Sequence, residues 1–527
     1  MWSLQKAFAA IGVLAAASAA FAATEAVKIE SGPLKGVNRD GVVAFKGVPF
    51  AAPPVGDFRW RPPQPVKPWT GVRSASEYGA DCMQQPFAGN MTPSVAPVAE
   101  DCLYANVWAP AGGGGKLPVM VWIYGGAFVN GGSSAAIFDG SQFAKQGVVL
   151  VSFNYRLGRF GFFGFPALTK EFSGEPKGNY TYMDMLAALQ WIQRNVAAFG
   201  GDPNNVTIFG ESSGGGAVIT MLSTPLSKGL FHKAIVESGG GRTIFLGRLR
   251  YLSKPGDNHA ASAEQAGVNF ARSVGIQGQD ASALAALRKL PAEAVVGGMN
   301  DISIHEGVGE TTFCGPLIDG SVVAESQAEA YAAGRGASVP LMVGTTSADS
   351  AHGNPSNKNE VFQHFGAFAE RAKAVYDPDG KADFLALSRA IEADQTMVEP
   401  ARFLAKSIIA TGKPAYIFRF SYIAESLRKQ WTAAPHATEL PFVFDNVATY
   451  LGKDLTEADK AMAQAIHTYW VNFAKTGNPN GKGLPDWPVY SPQTDRLMHF
   501  TNAGPVGQTD PWKARLDFIQ SQADQKK

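Results

Sequence analysis

The sequence lacks a charge bias: 46 Lys and Arg face 45 Asp and Glu, a net of +1 over 527 residues. No basic run offers itself to nucleic acid or to an anionic membrane. No repeat of fixed period stands out. No apolar run is long enough to span a bilayer as a helix, that of residues 7–20 included. Cysteine is scarce, with only Cys82, Cys102 and Cys314. Neither CxxC nor HExxH occurs, so a zinc site has little support. No metal and no cofactor is expected.

What is present is ample apolar material. Hydrophobic residues make up 45% of the chain and charged residues 17%. Such a chain can build a large core, and α/β folds of this size can run as one domain. The N-terminus differs from the rest. Lys6 precedes "AFAAIGVLAAASAA" (7–20), and Ala20-Phe21-Ala22 follows as a small-x-small pattern. Residues 1–22 therefore read as a secretory signal peptide, leaving 23–527 as one domain with no membrane anchor, secreted or periplasmic. Export permits a disulfide. The short spacing makes Cys82–Cys102 the expected pair, contributing about 3 kcal/mol in the chain-entropy model. Cys314 is expected to be a buried free thiol.

Residues 25–110 are rich in Pro, Gly and β-formers and read as short strands and turns. Then come apolar runs suited to strands buried on both faces: "LPVMVWIYGG" (117–126), "GVVLVSFNYR" (147–156), "NVTIFG" (205–210), "KAIVESG" (233–239), "VPLMVG" (339–344) and "AYIFRFSY" (415–422). Between them, "DMLAALQWIQRNVAAFGG" (184–201) places Leu186, Leu189, Ile192 and Val196 at helical spacing, with glycines to end the helix. "GAVITMLS" (216–223) starts another helix. Strands alternating with helices predict a mostly parallel α/β sheet. Residues 245–335 and 352–410 read as helical insertions.

"IFGESSGGG" (208–216) fits G-x-S-x-G between a buried strand and a helix. On so sharp a turn, the positions two before and two after the central residue approach closely and admit only very small side chains. Centred on Ser212 they are Gly210 and Gly214. Centred on Ser213 they are Glu211 and Gly215, and Glu211 would clash. Ser212 is therefore the candidate nucleophile, and Ser213 a backbone N–H donor. A serine needs a base. Asp349 follows one apolar strand and His436 follows the next, which suits the order Ser, acid, His. His232, His259 and His305 precede the acid. His352 lies too near it. His364 and His467 fall in helical stretches, and His499 is the runner-up base. Gly126 and Ala127, at the end of "WIYGGAF", offer amides for an oxyanion hole.

Many segments, in order, carry a resemblance: "FKGVPFAAPPVGDFRW", "EDCLYANVW", "WIYGGAF", "NYRLGRFGFF", "QWIQRNVAAFGGDPNNVTIFGESSGGG", "HATELPFVF" and "WVNFAKTGNPN". From about residue 27 to about residue 513 the chain resembles the type-B carboxylesterases, the family of cholinesterases and bacterial p-nitrobenzyl esterases. The resemblance implies an α/β-hydrolase fold with helical insertions forming a gorge or cap. It implies a serine esterase acting on small-molecule esters through Ser212, His436 and Asp349, with Gly126, Ala127 and Ser213 in the oxyanion hole. It also implies the Cys82–Cys102 disulfide and a supporting role for Ser238 beside the acid. Lipase, lactonase or natural-product esterase activity would use the same chemistry, whereas adhesion members of the fold lack a working nucleophile. Three positions depart from the family pattern. The acid is Asp349 where Glu is usual, and its loop must meet His436 differently. Ala127 replaces the glycine of cholinesterases. Ser213 replaces the usual alanine, and its hydroxyl is a candidate substrate contact. Asn90, Asn179 and Asn205 head N-glycosylation sequons.

Overall fold

The computed structural model describes residues 25–87, 91–112, 114–242, 250–256, 260–299, 310–349 and 357–525. Residues 1–22, read above as a signal peptide, and Asn90, His259, His305 and His352 lie outside the described residues. Among the described residues, no helix is long and apolar enough to cross a membrane.

Eleven strands form the central sheet. In chain order they are β1 (Val37–Arg39), β2 (Val42–Pro49), β3 (Tyr104–Pro110), β4 (Leu117–Ile123), β5 (Val149–Phe153), β6 (Gly201–Glu211), β7 (Lys233–Glu237), β8 (Leu341–Thr346), β9 (Ala415–Phe420), β10 (Arg496–Thr501) and β11 (Gly504–Thr509). Their spatial order is β11-β10-β9-β8-β7-β6-β4-β5-β3-β2-β1. From β5 through β10 every pairing is parallel, and the outer pairings are antiparallel. The continuous apolar runs explain the middle: every residue of β5, β7, β8 and β9 is buried, as strands covered on both faces require.

Four helices serve to orient the site: α1 (Tyr180–Asn195), α2 (Ser213–Ser223), α3 (Glu399–Ala410) and α4 (Glu457–Thr476). α2 packs on β6 and β7, α3 on β8 and β9, and α4 on β4 and β6. α1 begins four residues before the stretch expected from its periodicity. It gives way to a 3-10 turn, Val196–Phe199, that Gly200 ends at φ 84°. α2 also starts three residues early, at Ser213, because the three glycines at 214–216 are taken up into its first turn. Close packing here outweighs the poor helix propensity of Gly214 and Gly215.

Strand order positions the site. β4 connects to β5 on one side, while β6 lies on the other side of β4. The direction of progression reverses there, and in open parallel sheets such a reversal opens a crevice at the strands' carboxyl ends. β4 and β6 pair in register up to Ile123 opposite Gly210. The "YGGAF" loop and the "ESSGG" turn therefore leave the sheet side by side.

The Cys82–Cys102 disulfide is formed, and Cys314 is a buried free thiol. Asn179 is fully buried and gives its side-chain amide to the Leu317 carbonyl at 2.7 Å. The folded chain thus closes this sequon to glycosylation. The Asn205 side chain is engaged with Lys233.

Candidate active site

Ser212 sits between β6 and α2 with φ 56° and ψ −125°. A non-glycine residue held there costs about 1–3 kcal/mol and persists only where its surroundings enforce it. The surroundings do. A Cβ on Gly210 would lie 2.6 Å from the Ile123 carbonyl oxygen and 2.7 Å from Gly214 C and O. One on Gly214 would lie 2.0 Å from the Ile123 oxygen and 2.6 Å from that of Tyr124. These contacts are the close approach that the sequence argument required of positions 210 and 214. The Ser212 N–H donates to the Glu237 carbonyl at 2.9 Å, which ties the turn to the end of β7.

The loop after β4 faces this turn. Gly126 has φ 107°, and Ala127 and Phe128 have φ 53° and 61°. The Gly126 carbonyl accepts the N–H groups of Val129 and Asn130, both at 3.0 Å. Among the described residues, nothing accepts from the N–H of Gly126 or Ala127. Ser213 opens α2, so its N–H has no carbonyl one turn back to bond. Three amides are thus left for an outside acceptor. The Ser213 hydroxyl is not exposed to a substrate, contrary to the expectation: the residue is fully buried, and its Oγ accepts the Phe128 N–H at 3.2 Å.

Asp349 and His436 come from separate loops joined by a short bridge. Past β8, Ala348 pairs with Pro435; the Ala348 N–H donates to Ala434 O at 2.9 Å, and the Ala434 N–H to Ser347 Oγ at 2.9 Å. This register puts Asp349 beside His436, with Asp349 Oδ1 2.5 Å from Nδ1 of the ring. The shorter acid is accommodated because its own loop is clipped directly to the histidine loop. Ser238, at φ 48° just past β7, donates to Asp349 Oδ2 at 2.5 Å, and the Thr346 N–H donates to the same oxygen at 3.2 Å. Asp349 is buried, whereas the His436 side chain is 32% exposed.

His499 is far from being an alternative. Its Nδ1 accepts from Gln508 at 2.8 Å, so its Nε2 is the protonated nitrogen facing Ser421 Oγ at 2.7 Å. Burial and the nearby Arg419 push its pKa down to about 4. His467 is buried against the Val443 carbonyl, and His364 lies at a helix end.

Sequence reasoning missed a cluster of glutamates. Glu211 and Glu237 end β6 and β7 as register partners, and Glu439 lies three residues past His436. Glu211 Oε1 is 3.0 Å from His436 Nε2, but their geometry does not make a hydrogen bond, and that oxygen has no other partner. Trp470 of α4 donates to Glu237 Oε1 at 2.8 Å. Both Glu439 oxygens are buried without a hydrogen-bond partner. Burial raises the pKa of all three glutamates to about 8. Burial pulls the His436 pKa down, but the carboxylates of Glu211 and Asp349 pull it up by more, for a net rise. The available signal was a Glu directly after a buried run, in "VTIFGE" and again in "AIVE".

A serine on a strained turn, three free amides beside it, and an imidazole gripped by a carboxylate together suit acyl transfer. Comparison with known proteins agrees. The profile of the carboxylesterase family matches residues 23–373 and 358–518. The chain is 33% identical over 484 residues to the para-nitrobenzyl esterase of Bacillus subtilis (strain 168), covering 90% of this chain and 94% of that one. It is 34% identical over 492 residues to the fumonisin B1 esterase of Sphingopyxis macrogoltabida, covering 90% and 86%. A solved structure of PNB esterase superposes with a TM-score of 0.79 at 32% identity, covering 94% of this chain and 99% of that one. Sheet order, insertions and neighbours define an α/β-hydrolase fold. The chain belongs to the carboxylesterase family, and it is a carboxylic-ester hydrolase.

Proposed function

We propose that Ser212 is the nucleophile, His436 the general base and Asp349 the acid that orients it. Ser212 Oγ attacks the ester carbonyl carbon while His436 takes its proton. The carbonyl oxygen becomes an oxyanion facing the N–H groups of Gly126, Ala127 and Ser213. The C–O bond then breaks, and His436 gives its proton to the leaving alcohol. Water attacks the acyl-enzyme by the same route, releasing the acid and restoring Ser212. Asp349 fixes the tautomer with the proton on Nδ1 and stabilises the imidazolium; Ser238 holds Asp349 by its second oxygen. The observation that carries this reading is that the loop after β4 packs against the Ser212 turn while Nε2 of the Asp349-bound His436 lies 3.0 Å from Glu211, the residue before Ser212. The substrate is a small-molecule ester, and the N-terminal pattern supports action outside the cytoplasm.

Hydrolysis of p-nitrophenyl butyrate tests the assignment. Ser212→Ala is expected to lower kcat by about 10⁴-fold or more. Near-native turnover in that variant would overturn it.

A further inference from the structure

The oxyanion loop holds two consecutive non-glycine residues, Ala127 and Phe128, at positive φ. Such backbone relaxes unless something holds it, and a change in either torsion reorients the adjoining N–H groups. Three anchors hold Phe128. Its ring packs edge-on to Tyr155, Phe162 and Tyr182. Its carbonyl accepts the Gly158 N–H at 2.7 Å. Its own N–H goes to Ser213 Oγ at 3.2 Å. The first two anchors fix the loop to the body of the protein. The third fixes it to the element that carries the nucleophile.

The phenol of Tyr155 lies on the other side of Ser213. The Tyr155 hydroxyl in turn donates to the carbonyl of Tyr124 at 2.5 Å, and the two tyrosine rings stack at 4.3 Å. Two bonds are thus directed at the loop's ends: Phe128 N–H donates to Ser213 Oγ, and Tyr155 O–H to Tyr124 O. Tyr124 enters the loop and Phe128 leaves its two donor residues, so hydrogen bonds hold the loop at both ends.

We propose that the Ser213 hydroxyl is the positioning group of the oxyanion hole. It clamps residues 124–128 against the start of α2, so that the Gly126 and Ala127 amides stay aligned with the Ser213 amide. The serine after the nucleophile thus has two functions, its N–H as a donor and its Oγ as a clasp for the other donors. The proposal rests on Gly126, Ala127 and Ser213 being the oxyanion donors.

Ser213→Ala removes the clasp and keeps the amide. Its kcat on p-nitrophenyl butyrate is expected to fall about tenfold, with KM within about twofold of native, because a misaligned hole weakens the transition state more than the bound ester. Affinity for an alkyl trifluoromethyl ketone, which forms a tetrahedral adduct, should fall by the same factor. Adding Ala127→Gly to Ser213→Ala removes the side chain that resists positive φ, and should restore about half of the lost kcat on a logarithmic scale. A Ser213→Ala enzyme with native kcat, or a loss confined to KM with unchanged ketone affinity, overturns the clasp. A double variant no faster than Ser213→Ala overturns the strain it is said to hold. Ser212→Ala, assayed alongside, separates the levels: if it is dead while Ser213→Ala is native, only the clasp fails; if it is active, the site assignment itself fails.

Discussion

On the Ser212 side of the site, backbone packs on backbone at distances that no Cβ can enter. On the His436 side, two loops meet through one short bridge and through titratable side chains, with Glu211, Glu439 and Asp349 gathered about one imidazole. The first half is held by steric exclusion and the second by hydrogen bonds and charge. A steric device tolerates nothing larger but is indifferent to pH. An electrostatic device tolerates isosteres but depends on protonation.

Substitutions that treat the two halves differently sharpen that contrast. The largest effect belongs to Asp349→Asn, which keeps the shape and removes the charge. It should lower kcat about 10³- to 10⁴-fold with an unchanged melting temperature, since an amide no longer favours the catalytic tautomer. Gly214→Ala comes next. Its Cβ would meet the Ile123 oxygen at 2.0 Å, so the turn must open; kcat/KM should fall about a hundredfold or more, with a lower melting temperature. Gly115→Ala, whose Cβ would meet nothing, is the control and should behave as native. If Gly214→Ala kept full activity, the Ser212 half would not be sterically fixed.

The smallest effect is a displacement of the pH profile. The Glu211 carboxylate favours protonated His436, and the reaction needs the imidazole neutral. Glu211→Gln should therefore shift the acid limb of kcat/KM to lower pH, the histidine losing its proton more readily. An unmoved limb, or one shifted upward, would remove Glu211 from the electrostatics of the site.

The same division explains what was legible in the sequence. Glycines at 210 and 214 around Ser212 are a local pattern with a local cause, and they distinguish two adjacent serines by sequence alone. The parallel sheet followed from apolar runs of strand length. His436 and Asp349 could be chosen by order along the chain, but their contact depends on the Ala348–Pro435 bridge, which joins residues 87 apart and leaves no local trace. The glutamate cluster was missed because each member is a single charged residue at the end of an apolar segment, and only the sheet register brings Glu211 beside Glu237. The Ser213 hydroxyl does not face substrate for a related reason: its partner, the Phe128 N–H, lies past the end of another strand.

The central claim is that Ser212, and not its neighbour, carries the acyl group. Labelling the native enzyme to completion with a fluorophosphonate, followed by peptide mass spectrometry across residues 205–223, tests it most directly. One phosphonyl group on Ser212, with full loss of esterase activity and no labelling of the Ser212→Ala variant, is the predicted result. A label on Ser213, or full inactivation with Ser212 unmodified, would contradict the account.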